Sequence, residues 1–591
     1  MRCLTVVALT VTCLLASDLK QTAIAQDAAA YNESGLKKMN AGDFAGAIAD
    51  FTRVISLAPN LAGPYYNRGL AKRKSGDPDG AIADHTKALE LDPSFIDALL
   101  GRGGARYDKN DMNGAIADYS RYLQINPNNA LAHNGRGLAR ASLADYDGAI
   151  LDHNKAIELR PNDSSFVTVR GDARQHKGDL AGAIADYTRA IDLNRSNVQA
   201  YVHRGIARRK SGDVEGALAD YAKAIEVDPR FASAYFNRGI ARHAKGDLAG
   251  ALADSAKSIE LNPRDAEAYR LRGILFVARA AVDDYTRAIA DFTEALRLQP
   301  SFPEVLCMRG RVYYMSGDPD RAIADLTQAI RLKPDYAEAY RQRGDAHRLL
   351  PSNYQLAIAD YSEAIRLNPN DAAAYDSRGF TRSSVAFLSD MNDDERVLAD
   401  YGTAIRLKPD EVDFRKHRFY FYQSRKRFRQ ALEDANAIVR LMPTDHGSVL
   451  MRAKLFFFLE DYPSAIADCQ QVLKSNPQDL RALEELTWCY CASNKAEEAV
   501  QTSRQLLELS RSRSYLSQMT HAVALAAHGN VSEAESQYRT ALALISSAEI
   551  QPLVVKMYLE RVDLLLKSQP THATLKEFRD WLLRAQRDLK K

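Results

Sequence analysis

Arginine and aspartate recur through this sequence at a constant spacing, and they are the residues best placed to do chemistry. Both series advance in steps of 34 residues over much of the chain. A row of arginines could bind an anionic ligand, because a guanidinium donates two parallel hydrogen bonds to a carboxylate or phosphate. The arginines are Arg68, Arg102, Arg136, Arg170, Arg204, Arg238, Arg272, Arg309, Arg343, Arg378, Arg418 and Arg452. The aspartates are Asp50, Asp84, Asp118, Asp152, Asp186, Asp220, Asp254, Asp291, Asp325, Asp360, Asp400, Asp434 and Asp468.

Two interpretations of these series differ in function. The arginines either form a ladder for an anion, or each one pairs with an aspartate of a neighbouring helix. We favour the ion pairs, because the two series match to within one member and an aspartate beside each arginine would cancel an anion site. The sequence leaves the pairing open: pairing within each repeat leaves Asp50 over, and pairing with the preceding repeat leaves Asp468 over.

Motifs of catalysis and metal binding are missing from the sequence. It contains no HExxH pair, no cysteine and histidine set with zinc-finger spacing, no GxxxxGK[ST] loop and no GxSxG motif. We expect His85, His133 and His153 to be packing residues, because they stand at positions of the repeat that are usually aromatic. We therefore predict a protein that is not an enzyme and needs no metal or cofactor.

The 34-residue period predicts pairs of helices, as residues 62–95 illustrate. Tyr65 and Gly69 belong to a first helix, and Asp77 follows the break at a place that suits an N-cap or a turn residue. Ala81 begins a run of apolar residues at helical spacing, and Pro93 ends it because proline disfavours helical geometry in the preceding residue. The remaining units follow the same plan.

This pattern resembles the tetratricopeptide repeat. The residues that fill the positions characteristic of that family are Tyr65, Gly69, Ala81, His85, Ala88 and Pro93. The resemblance covers residues 28–547, or about fifteen repeats, of which the last two are degenerate. It implies an all-α, right-handed superhelical solenoid of antiparallel helix pairs. Residues 548–591 lose the period, and we expect them to form two helices that cap the end of the array.

We number the repeats 1 to 15 and count positions from the first residue of each, so that repeat 2 is residues 62–95. The family places position 5 on the concave face, and there this chain varies while its arginines and aspartates do not. A variable inner face on a constant frame is typical of a binding groove. The predicted groove residues are Tyr66, Phe236, Arg270, Arg311, Tyr314, Arg341, Arg348, Lys416 and Tyr420.

The resemblance implies an interaction scaffold that holds a peptide or helix of a partner protein in this groove. The alternative is a glycan-binding or envelope-assembly accessory protein, whose aromatic side chains would stack on the sugar rings. With 79 basic and 76 acidic residues, the net charge of +3 gives no sign of a nucleic-acid partner. Residues 414–429 mix basic and aromatic side chains, which we attribute first to altered packing around Phe419 and second to an acidic protein or glycan partner.

The first 25 residues have the features of a signal peptide. A short apolar stretch, residues 4–16, precedes a small-x-small cleavage pattern at residues 23–25, and it is too short to span a bilayer. We expect export to the periplasm or the exterior and no membrane span in the mature chain. Four cysteines remain, too few for a disulfide framework, although Cys469 could pair with Cys489 or Cys491.

Overall fold

The computed structural model describes residues 26–281, 283–389, 393–510, 514–544 and 551–588. These residues form 32 α-helices and one short 3₁₀ turn, and no β-strand occurs among them. The predicted signal peptide, residues 1–25, lies outside them. The chain divides into two compact units, Met1–Pro300 and Ser301–Lys591. In each unit, helices that follow one another pack side by side, which confirms the predicted all-α solenoid of helix pairs.

The first unit contains repeats 1 to 8. Their first helices are α1 (26–40), α3 (Ala62–Lys74), α5 (Asp97–Asp108), α7 (Ala130–Ser142), α9 (Ser164–Lys177), α11 (Val198–Lys210), α13 (Ala232–Ala244) and α15 (Ala266–Arg279). Their second helices are α2 (Phe44–Leu57), α4 (Pro78–Leu91), α6 (Met112–Ile125), α8 (Tyr146–Leu159), α10 (Leu180–Leu193), α12 (Val214–Val227), α14 (Leu248–Leu261) and α16 (Asp284–Leu298).

The second unit contains repeats 9 to 15 and two further helices. The first helices are α17 (Pro303–Met315), α19 (Ala337–Arg348), α21 (Ala372–Ser389), α23 (Val412–Ser424), α25 (His446–Phe458), α27 (Leu480–Ala492) and α29 (Tyr515–His528). The second helices are α18 (Pro319–Leu332), α20 (Tyr354–Leu367), α22 (Asp394–Leu407), α24 (Phe428–Leu441), α26 (Tyr462–Ser475), α28 (Ala496–Leu509) and α30 (Val531–Leu544). Helices α31 (Gln551–Ser568) and α32 (Ala573–Asp588) follow, and the 3₁₀ turn is Pro351–Asn353.

The turn between the two helices of a repeat is set by glycine and aspartate. Gly76 has a φ of +87°, a left-handed conformation that glycine adopts without steric cost. Asp77 then caps α4, because its carboxylate accepts a hydrogen bond from the backbone N–H of Gly80. Of the two roles expected for Asp77, it takes that of the N-cap, and equivalent aspartates cap most second helices of the first unit.

A small residue at position 8 lets the two helices of a repeat approach closely around a ring at position 24. A Cβ atom added at Gly205 would lie 2.5 Å from Cε1 of the buried Tyr221. His85 and His153 occupy the same position as Tyr221 and are fully buried, so they are packing residues as expected. Burial lowers the pKa of each histidine to about 4.

The first helices line the inner side of the curve within each unit. Consecutive first helices contact one another, as α11 does with α13 and α17 with α19, whereas no consecutive second helices of the described residues come as close. The more closely spaced layer of a stacked array is its concave side. Helix α32 packs on α29 and α30, while α31 packs on α27.

Candidate partner-binding face

The arginine and aspartate series form ion pairs within each repeat. In repeat 3, Nε and Nη2 of Arg102 lie 2.9 and 2.7 Å from the two carboxylate oxygens of Asp118. The same pair joins the two helices of every repeat from 2 to 13, and both side chains are largely buried. The aspartate without an arginine is therefore Asp50, which binds Ser34 at 2.6 Å and Lys38 at 2.8 Å instead.

The arginines also link successive repeats, which leaves little of the guanidinium for a ligand. Nη1 of Arg102 donates to the hydroxyl of Thr86 in the preceding repeat, at 3.1 Å. Arg136 reaches Ser120 and Arg204 reaches Thr188 in the same way. With Nε and Nη2 held by aspartate and Nη1 by a hydroxyl, these arginines act as structural ties, and the anion ladder has no support.

A second set of cations at position 11 was missed in the sequence analysis. Nη1 of Arg106 lies 2.8 Å from Asp118, so that one buried carboxylate holds two basic side chains. The residues that do this are Lys72, Arg106, Arg140, Arg174, Arg208, Arg242 and Arg382. The 34-residue spacing from Lys72 to Arg242 was the signal that would have found them.

In repeats 9, 12 and 13, position 11 is aromatic, so a ring stands where the position 11 cation stands in the other repeats named above. The guanidinium carbons of Arg309, Arg418 and Arg452 lie 5.9, 5.9 and 5.8 Å from the ring centres of Tyr313, Tyr422 and Phe456. At such distances a ring attracts a guanidinium through its quadrupole. These repeats thus keep the arginine and aspartate of the frame, while the residue at position 11 beside them changes.

The predicted groove residues of the first unit are engaged by their own neighbours. The ring of Tyr66 packs 5.4 Å from His85 and 5.1 Å from Phe95, measured between ring centres. Phe236 packs against the buried cluster of Ala251, Leu271 and Leu275. Arg270 forms an ion pair of 2.6 Å with Glu267 one turn earlier in its helix. These residues face inward, but their rings and charges are already in contact with neighbouring residues of the chain.

Two predicted cations of the second unit are neutralised as well. Arg341 contacts Glu338 at 2.7 Å, Asp345 at 3.3 Å and Asp371 at 3.3 Å. Lys416 lies 3.4 Å from Asp413 of the same helix. The sequence placed these cations on the inner face but did not show that acidic residues one turn away, or in the next repeat, would compensate them.

Of the other four predicted residues of the second unit, three leave side-chain surface available to a partner, whereas Arg348 is half-buried. Arg311 is exposed, Tyr314 is half-buried, and 56% of Tyr420 is exposed. The guanidinium carbon of Arg348 lies 5.3 Å from the ring centre of Phe380, a residue of the next first helix that the sequence analysis overlooked. Phe380 stands at position 9, the same position as Arg311 and Tyr420, and this was the signal for it.

A cavity of about 410 Å³ opens between α21 and α23 on this face. Its lining includes Phe380, Tyr401, His417 and Tyr420 together with the hydroxyls of Ser383, Ser384 and Ser424. Nδ1 of His417 lies 2.9 Å from Asp376, and this hydrogen bond raises the pKa of His417 above its ordinary value. The cavity therefore combines aromatic walls with a few polar groups, as ligand-binding clefts commonly do.

The four cysteines among the described residues, Cys307, Cys469, Cys489 and Cys491, are buried free thiols. Of the two pairings left open, Cys469 contacts Cys489. The pKa of the Cys489 thiol is raised because it donates a hydrogen bond to Cys469 and because it is buried. Cys491 is separately buried. No group of three or more histidine, cysteine or acidic residues suited to a metal ion occurs in the described part of the chain.

Comparison with known proteins identifies the family. A profile described as "Tetratricopeptide repeat" matches residues 66–130, 168–223, 275–323, 307–372 and 450–514, and one described as "TPR repeat" matches residues 207–246. Together these segments cover about half of the chain. The chain belongs to the tetratricopeptide repeat family. A comparison with curated protein sequences found no match.

Solved structures similar to this chain include members of the same family. The APC/C hetero-tetramer Cut9–Hcn1 is 16% identical, with a TM-score of 0.39 over 79% of this chain and 97% of that chain. Yeast Tom70 is 17% identical, with a TM-score of 0.32 over 68% and 97%. YrrB, described as a TPR protein with an unusual peptide-binding site, is 22% identical, with a TM-score of 0.28 over 32% and 95%.

Proposed function

We propose that this protein is an exported, non-enzymatic interaction scaffold that binds a peptide or helix of a partner protein on the inner face of repeats 9 to 12. Its family supports the general role, because these repeats present concave surfaces to other molecules. The observation that carries the location is a row of side chains on four consecutive first helices. Arg311, Phe380 and Tyr420 are exposed, and the half-buried Arg348 lies over the ring of Phe380.

The residue types in this row suit a protein partner. Arginine and aromatic side chains are enriched among the residues that dominate binding energy at interfaces. The cavity beside Tyr420 can receive a side chain of the partner, while Arg311 and Arg348 favour acidic residues nearby. The glycan alternative has less support, because Tyr66 and Phe236, two of the aromatic residues predicted for the groove, pack against their neighbours.

Export is the second part of the proposal and rests on the features of residues 1–25. None of the described helices is both long and apolar enough to cross a bilayer. Fractionation of cells that express the full gene, followed by sequencing of the mature N-terminus, tests this part. A cytoplasmic protein that begins at Met1 would contradict it.

Quantitative capture from envelope extracts tests the binding site. Replacing Phe380 and Tyr420 together by alanine should reduce recovery of the partner by about tenfold or more, the loss expected when two aromatic anchors are removed. Leu356→Ala is the matched control, because Leu356 is also an exposed apolar residue but lies on the second helix α20. Equal recovery with both variants would reject this site, and recovery of polysaccharide alone would favour the glycan alternative.

A further inference from the structure

Helix α31 lies against the first helices of repeats 13 to 15. Arg561 pairs with Glu485 of α27 at 2.8 Å, and Lys567 pairs with Glu460, which follows α25. The hydroxyl of Tyr558 lies 2.9 Å from that of Thr520 and 3.1 Å from the backbone oxygen of Leu516, both on α29. One helix therefore spans three repeats on the side that remains open in repeats 9 to 12.

The covered residues stand at the same repeat positions as the open ones. Glu485 is at position 6 and Trp488 at position 9 of repeat 14, where repeat 12 has His417 and Tyr420. Trp488 is 1% exposed and lies under α31, with its ring centre 5.3 Å from that of Tyr558. Helix α31 thus occupies the place on this face that a partner would take in the neighbouring repeats.

The surface beneath α31 is the apolar stretch of this inner face. Phe457, Trp488, Cys491 and Met519 are almost completely buried there. Apolar patches of this kind are rarely left open to water in a soluble protein, and they mark the sites where another element docks. Because the inner face of repeats 13 to 15 is apolar, we expect another element to cover it.

A buried ion pair fixes how α31 sits. Arg561 is 6% exposed and Glu485 is 9% exposed, and the guanidinium carbon lies 5.0 Å from the ring centre of Trp488 and 5.5 Å from that of Phe457. A buried pair adds little stability over apolar packing, but removing one partner is costly. Shifting α31 by one residue would separate the two charges, so the pair specifies its register.

We propose that α31 is an internal ligand, which fills the inner face of repeats 13 to 15 and confines any partner to the repeats before it. The boundary is the cavity of about 480 Å³ that Lys454 and Phe458 form with Met557 and Arg561 of α31. A ligand of this kind can leave its site without unfolding the rest of the chain. The groove of repeats 13 to 15 then keeps its shape, and this groove can bind the same helix supplied by another molecule. This proposal needs no partner, so it stands or falls separately from the proposed function.

Trp488 reports whether α31 is in place. The chain has two tryptophans, and Trp581→Phe leaves Trp488 as the single emitter. In that full-length background, Arg561→Glu places a further negative charge beside Glu484 and Glu485 and should release α31, shifting emission to longer wavelengths and increasing quenching by acrylamide. Lys556→Glu is the matched control, since it reverses a charge at an exposed position of the same helix.

Binding of the helix in trans tests separability directly. A labelled synthetic peptide of residues 551–568 should bind the full-length Arg561→Glu chain at least roughly tenfold more tightly than the wild-type chain, whose groove is occupied. The peptide carrying Arg561→Glu should bind neither chain. Tyr558→Ala is a milder release variant, because it removes the contacts with Thr520 and Leu516 without burying an unpaired charge, and it should also increase peptide binding.

Two outcomes would overturn the proposal. Equal binding of the peptide to wild-type and variant chains would show that the groove is not occupied by α31. Loss of helical circular dichroism in both Arg561→Glu and Tyr558→Ala, without peptide binding, would show that α31 is an inseparable part of the core.

Discussion

Repeats 2 to 7 and repeats 9 to 12 share one frame but use their inner faces differently. Both join their helices through an arginine and an aspartate, as Arg102 and Asp118 do in one region and Arg418 and Asp434 in the other. In the first region Tyr66 packs against its neighbours, whereas in the second Phe380 and Tyr420 remain 38% and 56% exposed. A constant frame therefore leaves the inner side chains free either to pack or to bind.

The core of the two regions differs in a compensating way. In repeat 6 a glycine, Gly205, faces the large Tyr221, while in repeat 12 the large Phe419 shares a buried cluster with Ala435. The sequence led us to expect altered packing around Phe419 in repeat 12. Repeat 12 carries the large aromatic residue on its first helix and the small residue on its second helix, which is the reverse of repeat 6.

Phe419→Ala should give the largest loss of stability, about 3–5 kcal/mol, because it leaves a cavity in a fully packed core. Hydrogen exchange of the α23 and α24 amides measures the loss locally. The double change of Phe419→Gly with Ala435→Tyr restores the arrangement of repeat 6 and should recover much of it. A double variant as unstable as the single one would contradict the size exchange.

Asp186→Ala should cost about 3 kcal/mol, because it leaves both Arg170 and Arg174 without their buried carboxylate. The equivalent Asp468→Ala leaves only Arg452 unpaired beside an aromatic ring, so it should cost about half as much.

Local hydrogen exchange in α9 and α10, compared with α25 and α26, distinguishes the two losses. Asp192→Ala is the control at an exposed acidic residue, and it should change stability by less than about 0.5 kcal/mol. Equal losses at Asp186 and Asp468 would show that the position 11 cations contribute nothing.

The two regions should respond to pH in opposite directions. Burial lowers the pKa of His85 to about 4 from an ordinary 6.5, so the neutral form stabilises repeat 2 above pH 6.5 and this stability is lost as the pH falls towards 4. The hydrogen bond to Asp376 raises the pKa of His417, so that contact is strongest below pH 6.5 and weakens as the pH rises through the higher value.

Lowering the pH from 7.5 to 5.5 should therefore weaken α4 by about 1 kcal/mol and strengthen the contact of α21 with α23 by a smaller amount. Hydrogen exchange corrected for its intrinsic pH dependence measures both. His85→Phe should abolish the first response. A change of the same sign in both regions would contradict the assignment.

The sequence predicted the frame because the frame repeats. The period placed the helices, the cap at Asp77 and the ion pairs, since each is decided by contacts that recur every 34 residues. It did not decide the pairing of the arginines, because both partners lie at similar sequence distances. The groove was predicted only in outline, since the acidic neighbours of Arg341 and Lys416 act through individual side-chain geometry.

The 34-residue period could not predict the position of α31. Residues after 547 carry no repeat, so nothing in their spacing places Arg561 beside Glu485, a residue 76 positions earlier in the chain. Long-range contacts of this kind depend on tertiary packing rather than on a local pattern. The expected role of residues 548–591 as a cap stays a prediction, because α31 lies on the inner face while α32 packs on the last repeat.

Site-specific photo-crosslinking most directly tests the claim that the open inner face of repeats 9 to 12 is the partner site. A photoreactive phenylalanine analogue is introduced at Tyr420 or at Tyr66, and the full-length protein is irradiated in living cells. We predict a discrete crosslinked partner from position 420 and little from position 66, whose ring packs against His85 and Phe95. Equal crosslinking at both positions, or crosslinking at position 66 alone, would contradict the account.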